Sequence, residues 1–77
     1  MNEVVTAATV TDAQIRELRE TLFRESGNQM TDDTDATGMA LTDPSDPRFS
    51  GVRDVAEWTR EYGRARCAEI LNARNER

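Results

Sequence analysis

The sequence predicts an all-α protein, a small helical hairpin or three-helix arrangement with an extended amino-terminal arm and an acidic middle loop. Three observations predict it. A capping sequence at Thr11 opens an amphipathic stripe that reaches Phe23. A second helical stripe starts near Val52 and continues almost to the last residue. Between them lies a stretch dense in Asp, Thr, Gly, Ser and Pro, which favour turns and caps. The 77 residues form one domain at most. Its expected parts are an arm over 1–10, a helix over 11–26, an acidic loop or short helix over 27–50 and a helix over 51–75.

In the arm, Val4, Val5 and Val10 lie among threonines and alanines, consistent with a short strand or extended segment that Ala7 and Ala8 weaken. Thr11-Asp12-Ala13-Gln14 then fits a capping box, with the Thr11 hydroxyl on an early backbone N–H and Gln14 reaching back. Asp12 suits the positive end of the helix dipole. Ile15, Leu18 and Leu22 form the apolar stripe, widened by Phe23. Ser26-Gly27-Asn28 is the stop, with Gly27 suited to a left-handed cap. In the middle, Thr31 is placed to cap a short helix with Ala36, Met39 and Ala40 on one face, which Gly38 weakens. Asp43-Pro44 and Asp46-Pro47 each read as an N-cap followed by proline, or as a turn. In the last helix, Val55, Trp58, Tyr62 and Ala65 form one stripe, while Cys67, Ile70 and Leu71 lie on a rotated face. Gly63 between them marks a kink or a change of neighbours. Arg74 and Arg77 suit its negative carboxyl end.

Charge is zoned along the chain. Asp32, Asp33, Asp35, Asp43 and Asp46 fall in a stretch without a basic residue, and they equal the net charge of −5. Residues 1–28 hold five acids against three arginines, and residues 48–77 hold seven arginines against five acids. Such zoning directs a small protein onto a charged partner, or marks a solvated linker. All ten basic residues are arginine. A GC-rich genome accounts for that usage; the physical alternative is bidentate pairing of planar guanidinium forks with carboxylates.

Composition narrows the chemistry. The chain has no histidine and one cysteine, so zinc, iron–sulfur and disulfide frameworks are not expected, and no cofactor is called for. Asp33-Thr34-Asp35-Ala36-Thr37-Gly38 resembles the first half of a calcium loop, but position twelve falls on Pro44, where a bidentate glutamate is required. Cys67 is flanked by Arg64 and Arg66, which would lower its pKa, although a mid-helix cysteine is more often a packing residue. With no glycine-rich phosphate loop and no histidine, the chain is not expected to be an enzyme. The arginines of the last helix alternate with acids, so direct nucleic-acid binding is not expected. No window approaches the roughly 20 apolar residues of a membrane span. The amino terminus lacks a signal-peptide pattern, so the expected location is the cytoplasm.

A protein-binding module is the remaining class. The five aspartates are candidates to imitate phosphate spacing and occupy a basic groove of a partner protein. Trp58 and Tyr62, one turn apart, are expected in the core and are otherwise the natural anchors of an interface. The alternative is a self-associating structural or regulatory module, a homodimer with Val55, Trp58, Tyr62, Ile70 and Leu71 at its seam.

The segments Thr11 to Arg19 and Ala65 to Arg74 resemble stretches of small, acidic hypothetical proteins of phages and prophages. Those proteins resemble helical hairpins with an Ala/Gly-Asp turn after the first helix. This chain has Ser26-Gly27-Asn28 there, and a longer, more acidic middle. The resemblance implies a phage-type accessory protein acting in the host cytoplasm. Inhibition of a host nucleic-acid-handling or defence complex, anti-CRISPR-like in kind, is the expected role, with the aspartates as a DNA-mimic surface.

Overall fold

The structure, a computed structural model, describes residues 4–75. Residues 1–3 of the expected arm, and Arg77 of the expected carboxyl-terminal charge pair, lie outside the described residues. Three α-helices run in chain order: α1 (Asp12–Glu25), α2 (Asp32–Ala40) and α3 (Arg53–Asn75). A 3₁₀ turn, Pro47–Phe49, precedes α3. No strand occurs among the described residues, so the fold is all-α as the sequence predicts.

Local chemistry sets the helix ends. The Thr11 hydroxyl accepts from Gln14 N–H at 3.1 Å, and Gln14 Oε1 accepts from Thr11 N–H at 2.8 Å. That reciprocal pair satisfies two of the amide donors a helix start leaves open. At the other end Gly27 has φ +70°, and Asn28 follows with φ +65°. Gly27 N–H bonds Arg24 O at 3.3 Å and Asn28 N–H bonds Phe23 O at 2.6 Å, the two reversed bonds of a Schellman cap.

The middle is more ordered than a loop. Thr31 caps α2 with a second box: its hydroxyl accepts from Thr34 N–H at 3.2 Å, and Thr34 Oγ1 accepts from Thr31 N–H at 2.7 Å. Asp32, Asp33 and Asp35 occupy the first turn of α2, where the helix dipole favours anions. The Asp33–Gly38 segment is therefore helical, and the calcium-loop geometry is not adopted. Asp43 forms an Asx-type turn with Ser45, and Asp46 caps the 3₁₀ turn with Pro47 at its first position.

Packing centres on small residues. Val10, Ile15, Leu18, Ala40 and Cys67 form the buried cluster, with Leu22, Leu41, Ile70 and Leu71 partly buried against it. α3 runs unbroken through Gly63. That glycine is a contact point: a Cβ there would meet Ala40 N at 2.4 Å and Ala36 O at 2.7 Å. Ala56, Gly63, Cys67 and Ala68 are the buried residues of α3. Residues Val55, Trp58 and Tyr62 lie roughly 130° around the helix from Ala56, Gly63 and Cys67, at about 100° per residue. The expectation of a core Trp58 and Tyr62 is corrected. They are 65% and 55% exposed, because only small residues admit α2 at backbone contact and its approach claims the small-residue face. The proposed dimer seam is corrected as well: Ile70 and Leu71 pack inward, away from Val55 and Trp58.

Arginines tie the elements together. Arg19 of α1 donates to Thr34 O at 3.0 Å and Thr37 Oγ1 at 2.9 Å of α2, and its guanidinium lies 5.0 Å from the centre of the Phe23 ring. Arg60 of α3 donates to Thr42 O at 2.9 Å, just beyond α2. Arg74 grips Glu25, with Nη2 2.6 Å from Oε1. The arm is not a free extended segment. It turns at Thr6–Val10, and Asn72 clasps Val5 by both its side-chain amide groups at 2.9 Å. Arg64 donates to the carbonyls of Ala7 and Val10 and to Asp12 Oδ1. Buried threonines, small residues and planar forks stand where a larger domain has large apolar side chains.

Candidate functional site

The outward face of α3 carries the exposed apolar surface. Val55, one turn before Trp58, is 63% exposed, and Val52, just ahead of α3, is 49% exposed. The two rings stack with centroids 5.7 Å apart and 19° between planes. Of residues 53–62 only Ala56 is buried, so this part of the helix presents the pair on a regular backbone with little covering it. Stacking holds both rings in one orientation without burying them.

Two grooves meet at Tyr62. One, of about 390 Å³, is lined by Tyr62, Met39, Arg66 and the first-turn carboxylates Asp32, Asp33 and Asp35. The other, of about 770 Å³ and open, runs between Trp58, Tyr62 and the arm residues Ala7 and Ala8, with Arg60, Glu61 and Arg64 also in its lining. The structure thus brings Asp32, Asp33 and Asp35 together with Tyr62 in one groove, and Trp58 joins them only by stacking on Tyr62. Asp43 and Asp46 do not line either groove. They follow the carboxyl end of α2, which at about 1.5 Å per residue is roughly 13 Å from its first turn.

The charges are unequal in availability. Arg66 donates to Asp33 Oδ1 at 3.1 Å and to Glu69 Oε2 at 3.0 Å. Those two carboxylates, Glu69 foremost, raise the Arg66 pKa above its ordinary value. Asp46 is held below the usual carboxylate range by its hydrogen bonds from Arg48, 2.8 Å at the closest. Asp43 is lowered by the Ser45 hydroxyl, at 2.7 Å. Asp32 and Asp35 are exposed and make no ion pair among the described residues. A single evenly spaced row of five carboxylates is therefore not what the chain builds; two aspartates are spent on turns, one on an arginine, and two remain open beside an aromatic pair.

Asp54 and Glu61 were not singled out by sequence. They stand four residues before and three after Trp58, the spacings that place side chains beside one another on a helix. Both are exposed, so the aromatic pair has carboxylates on its α2 side and on its far side. That spacing was legible, but it gains meaning only once Trp58 is outside.

Nucleophilic chemistry has little support at Cys67. It is fully buried, and desolvation pushes its thiol up to about 11 despite the charges of Arg64 and Arg66. No group of three or more Cys, Asp or Glu side chains is placed to hold a metal ion among the described residues. No helix is long and apolar enough to cross a membrane, among those described. Comparison of the chain with protein-family models, with curated protein sequences and with solved structures finds no match.

Proposed function

We propose that this chain is a non-catalytic protein-binding module that acts stoichiometrically on a partner carrying a basic, nucleic-acid-binding groove. The observation that carries the proposal is the stacked, exposed Trp58–Tyr62 pair beside the open carboxylates Asp32 and Asp35. Aromatic residues on a rigid element are the usual anchors of an interface, and a flanking field of one sign supplies on-rate and partner choice. The resemblance to phage and prophage proteins adds the context of host-protein inhibition, including anti-defence action in the host cytoplasm.

The working surface differs from the one expected from sequence. The anchors come first and the first-turn aspartates second, while Asp43 and Asp46 serve the connection to α3. The test is capture from nuclease-treated host lysate with three baits: the native chain, Trp58→Ala with Tyr62→Ala, and Asp32→Asn with Asp35→Asn. A nucleic-acid-handling protein held by the native chain and lost with the aromatic variant supports the proposal. Equal capture by all three baits removes this face from the function.

A self-associating module is the second reading, favoured by the same exposed Val55, Trp58 and Tyr62. Light scattering over a wide concentration range separates the two, since a dimer that persists on dilution would cover the face.

A further inference from the structure

The face of α3 around Trp58 and Tyr62 is apolar and exposed, and the charges beside it that make no ion pair among the described residues are acidic. Asp32 and Asp35 of α2 share a groove with Tyr62, and Asp54 and Glu61 lie beside Trp58 along α3. The nearby cations are already engaged: Arg53 with Glu57 at 3.3 Å, Arg60 and Arg64 with Asp12, and Arg66 with Asp33 and Glu69. We infer that this face docks an arginine-bearing segment of a protein partner, with one guanidinium plane laid on the Trp58–Tyr62 stack and its N–H groups directed to Asp32 and Asp35. The inference rests on the reading of the chain as a binding module and adds the chemistry of the partner's contact.

Three arguments select this occupant. Flat guanidinium groups stack on aromatic faces and pair with carboxylates as a fork, whereas a lysine ammonium is a compact, strongly hydrated point charge. Arg66 already shows the pairing inside the groove, with its guanidinium on Asp33 beside Tyr62. A second copy fits less well. A two-fold pairing of this face on itself would place the same acidic flanks around one shared aromatic centre, between chains that each carry a net −5. Phosphate backbones meet the same repulsion.

Trp58 is the single tryptophan, so its emission reports directly on the site. Titration of the full chain with an arginine-rich peptide should change that emission saturably, with binding about tenfold tighter than for a lysine peptide of equal length and charge. Asp32→Asn with Asp35→Asn should weaken binding about tenfold, while Asp43→Asn with Asp46→Asn, an equal charge change outside the groove, should change it by less than about twofold. Circular dichroism establishes that both variants keep their helices. Trp58→Leu, followed by calorimetry, should lose the preference for arginine over lysine while keeping an apolar side chain.

Equal affinity for the two peptides overturns the inference, as does equal loss from the two aspartate pairs, which would mean bulk charge alone. So does a failure to saturate by about 1 mM peptide. A dimer that shields Trp58 overturns it in favour of a second copy. Lysate capture that depends on Trp58 and Tyr62, with no arginine preference in the titration, leaves the module standing and removes this inference. An arginine preference without any captured partner locates the failure in the proposed function instead.

Discussion

Gly63 of α3 rests on the backbone of Ala40 in α2, where a Cβ would lie 2.4 Å from the amide nitrogen and 2.9 Å from the Cα. The two helices therefore meet at backbone contact, and that approach orients every other face of α3. The small residues inside and the aromatic residues outside are two consequences of one crossing.

Gly63→Ala should destabilise the protein. Helix propensity favours Ala over Gly by about 1 kcal/mol. Overpacking costs about 1–3 kcal/mol, and here the obstructing atoms are backbone that cannot rotate aside. The clash wins, and the thermal midpoint should fall by about 4–8 °C for each net kcal/mol lost. Gly38→Ala is the milder contrast, because its new Cβ meets a side chain and not backbone: the Arg19 guanidinium, 3.1 Å away, which must shift by a few tenths of an ångström against its hydrogen bonds to Thr34 and Thr37. Melting curves showing both variants equally stable would contradict the crossing described here.

Trp58→Ala should cost little stability. A buried tryptophan truncated to alanine costs about 3–5 kcal/mol, whereas an exposed stacked pair contributes about 0.5–1.5 kcal/mol. Urea unfolding of the variant should shift by the smaller amount, with the loss appearing in partner binding. A loss of several kcal/mol would place Trp58 back in the core.

Acid should loosen the junction of the arm, α1 and α3. The hydrogen bond from Arg64 Nη1, at 2.7 Å, and then the charge of Arg60 lower the Asp12 pKa below its ordinary 3.8. A lowered native pKa means the folded state holds the proton less tightly than the unfolded chain. Its stabilisation is complete above the ordinary value and is lost as pH falls through the lowered one. Asp12→Asn should therefore be less stable than the native chain at neutral pH, with the gap closing as the pH falls below the ordinary 3.8. A gap that stays constant from pH 7 to pH 2.5 would show that the ion pair adds nothing.

Cys67 should resist thiol reagents in the folded protein. Full burial and a pKa near 11 leave little accessible thiolate at pH 8. Maleimide labelling should be slow in buffer and fast in denaturant, with Cys67→Ser costing more stability than Cys67→Ala because a buried hydroxyl would need a partner. Rapid labelling without denaturant would contradict its place in the core.

The sequence by itself determined the helix boundaries and much of the charge pattern. Thr11 with Gln14, Thr31 ahead of the aspartates and Gly27 at the stop of α1 act through hydrogen bonds between residues three to five apart, so their positions are written locally. It also put Asp32, Asp33 and Asp35 within one turn of each other. Only the tertiary structure decided which side of α3 faces inward. A stripe drawn by side-chain size selects Val55, Trp58 and Tyr62, but the partner helix presents Ala36 and Ala40 and admits only small residues opposite them. The same crossing joined the α2 aspartates to Tyr62, separated Asp43 and Asp46 from them, and fixed the arm through Arg64 and Asn72. Caps depend on neighbours along the chain, whereas the choice of face depends on how closely two distant segments can approach.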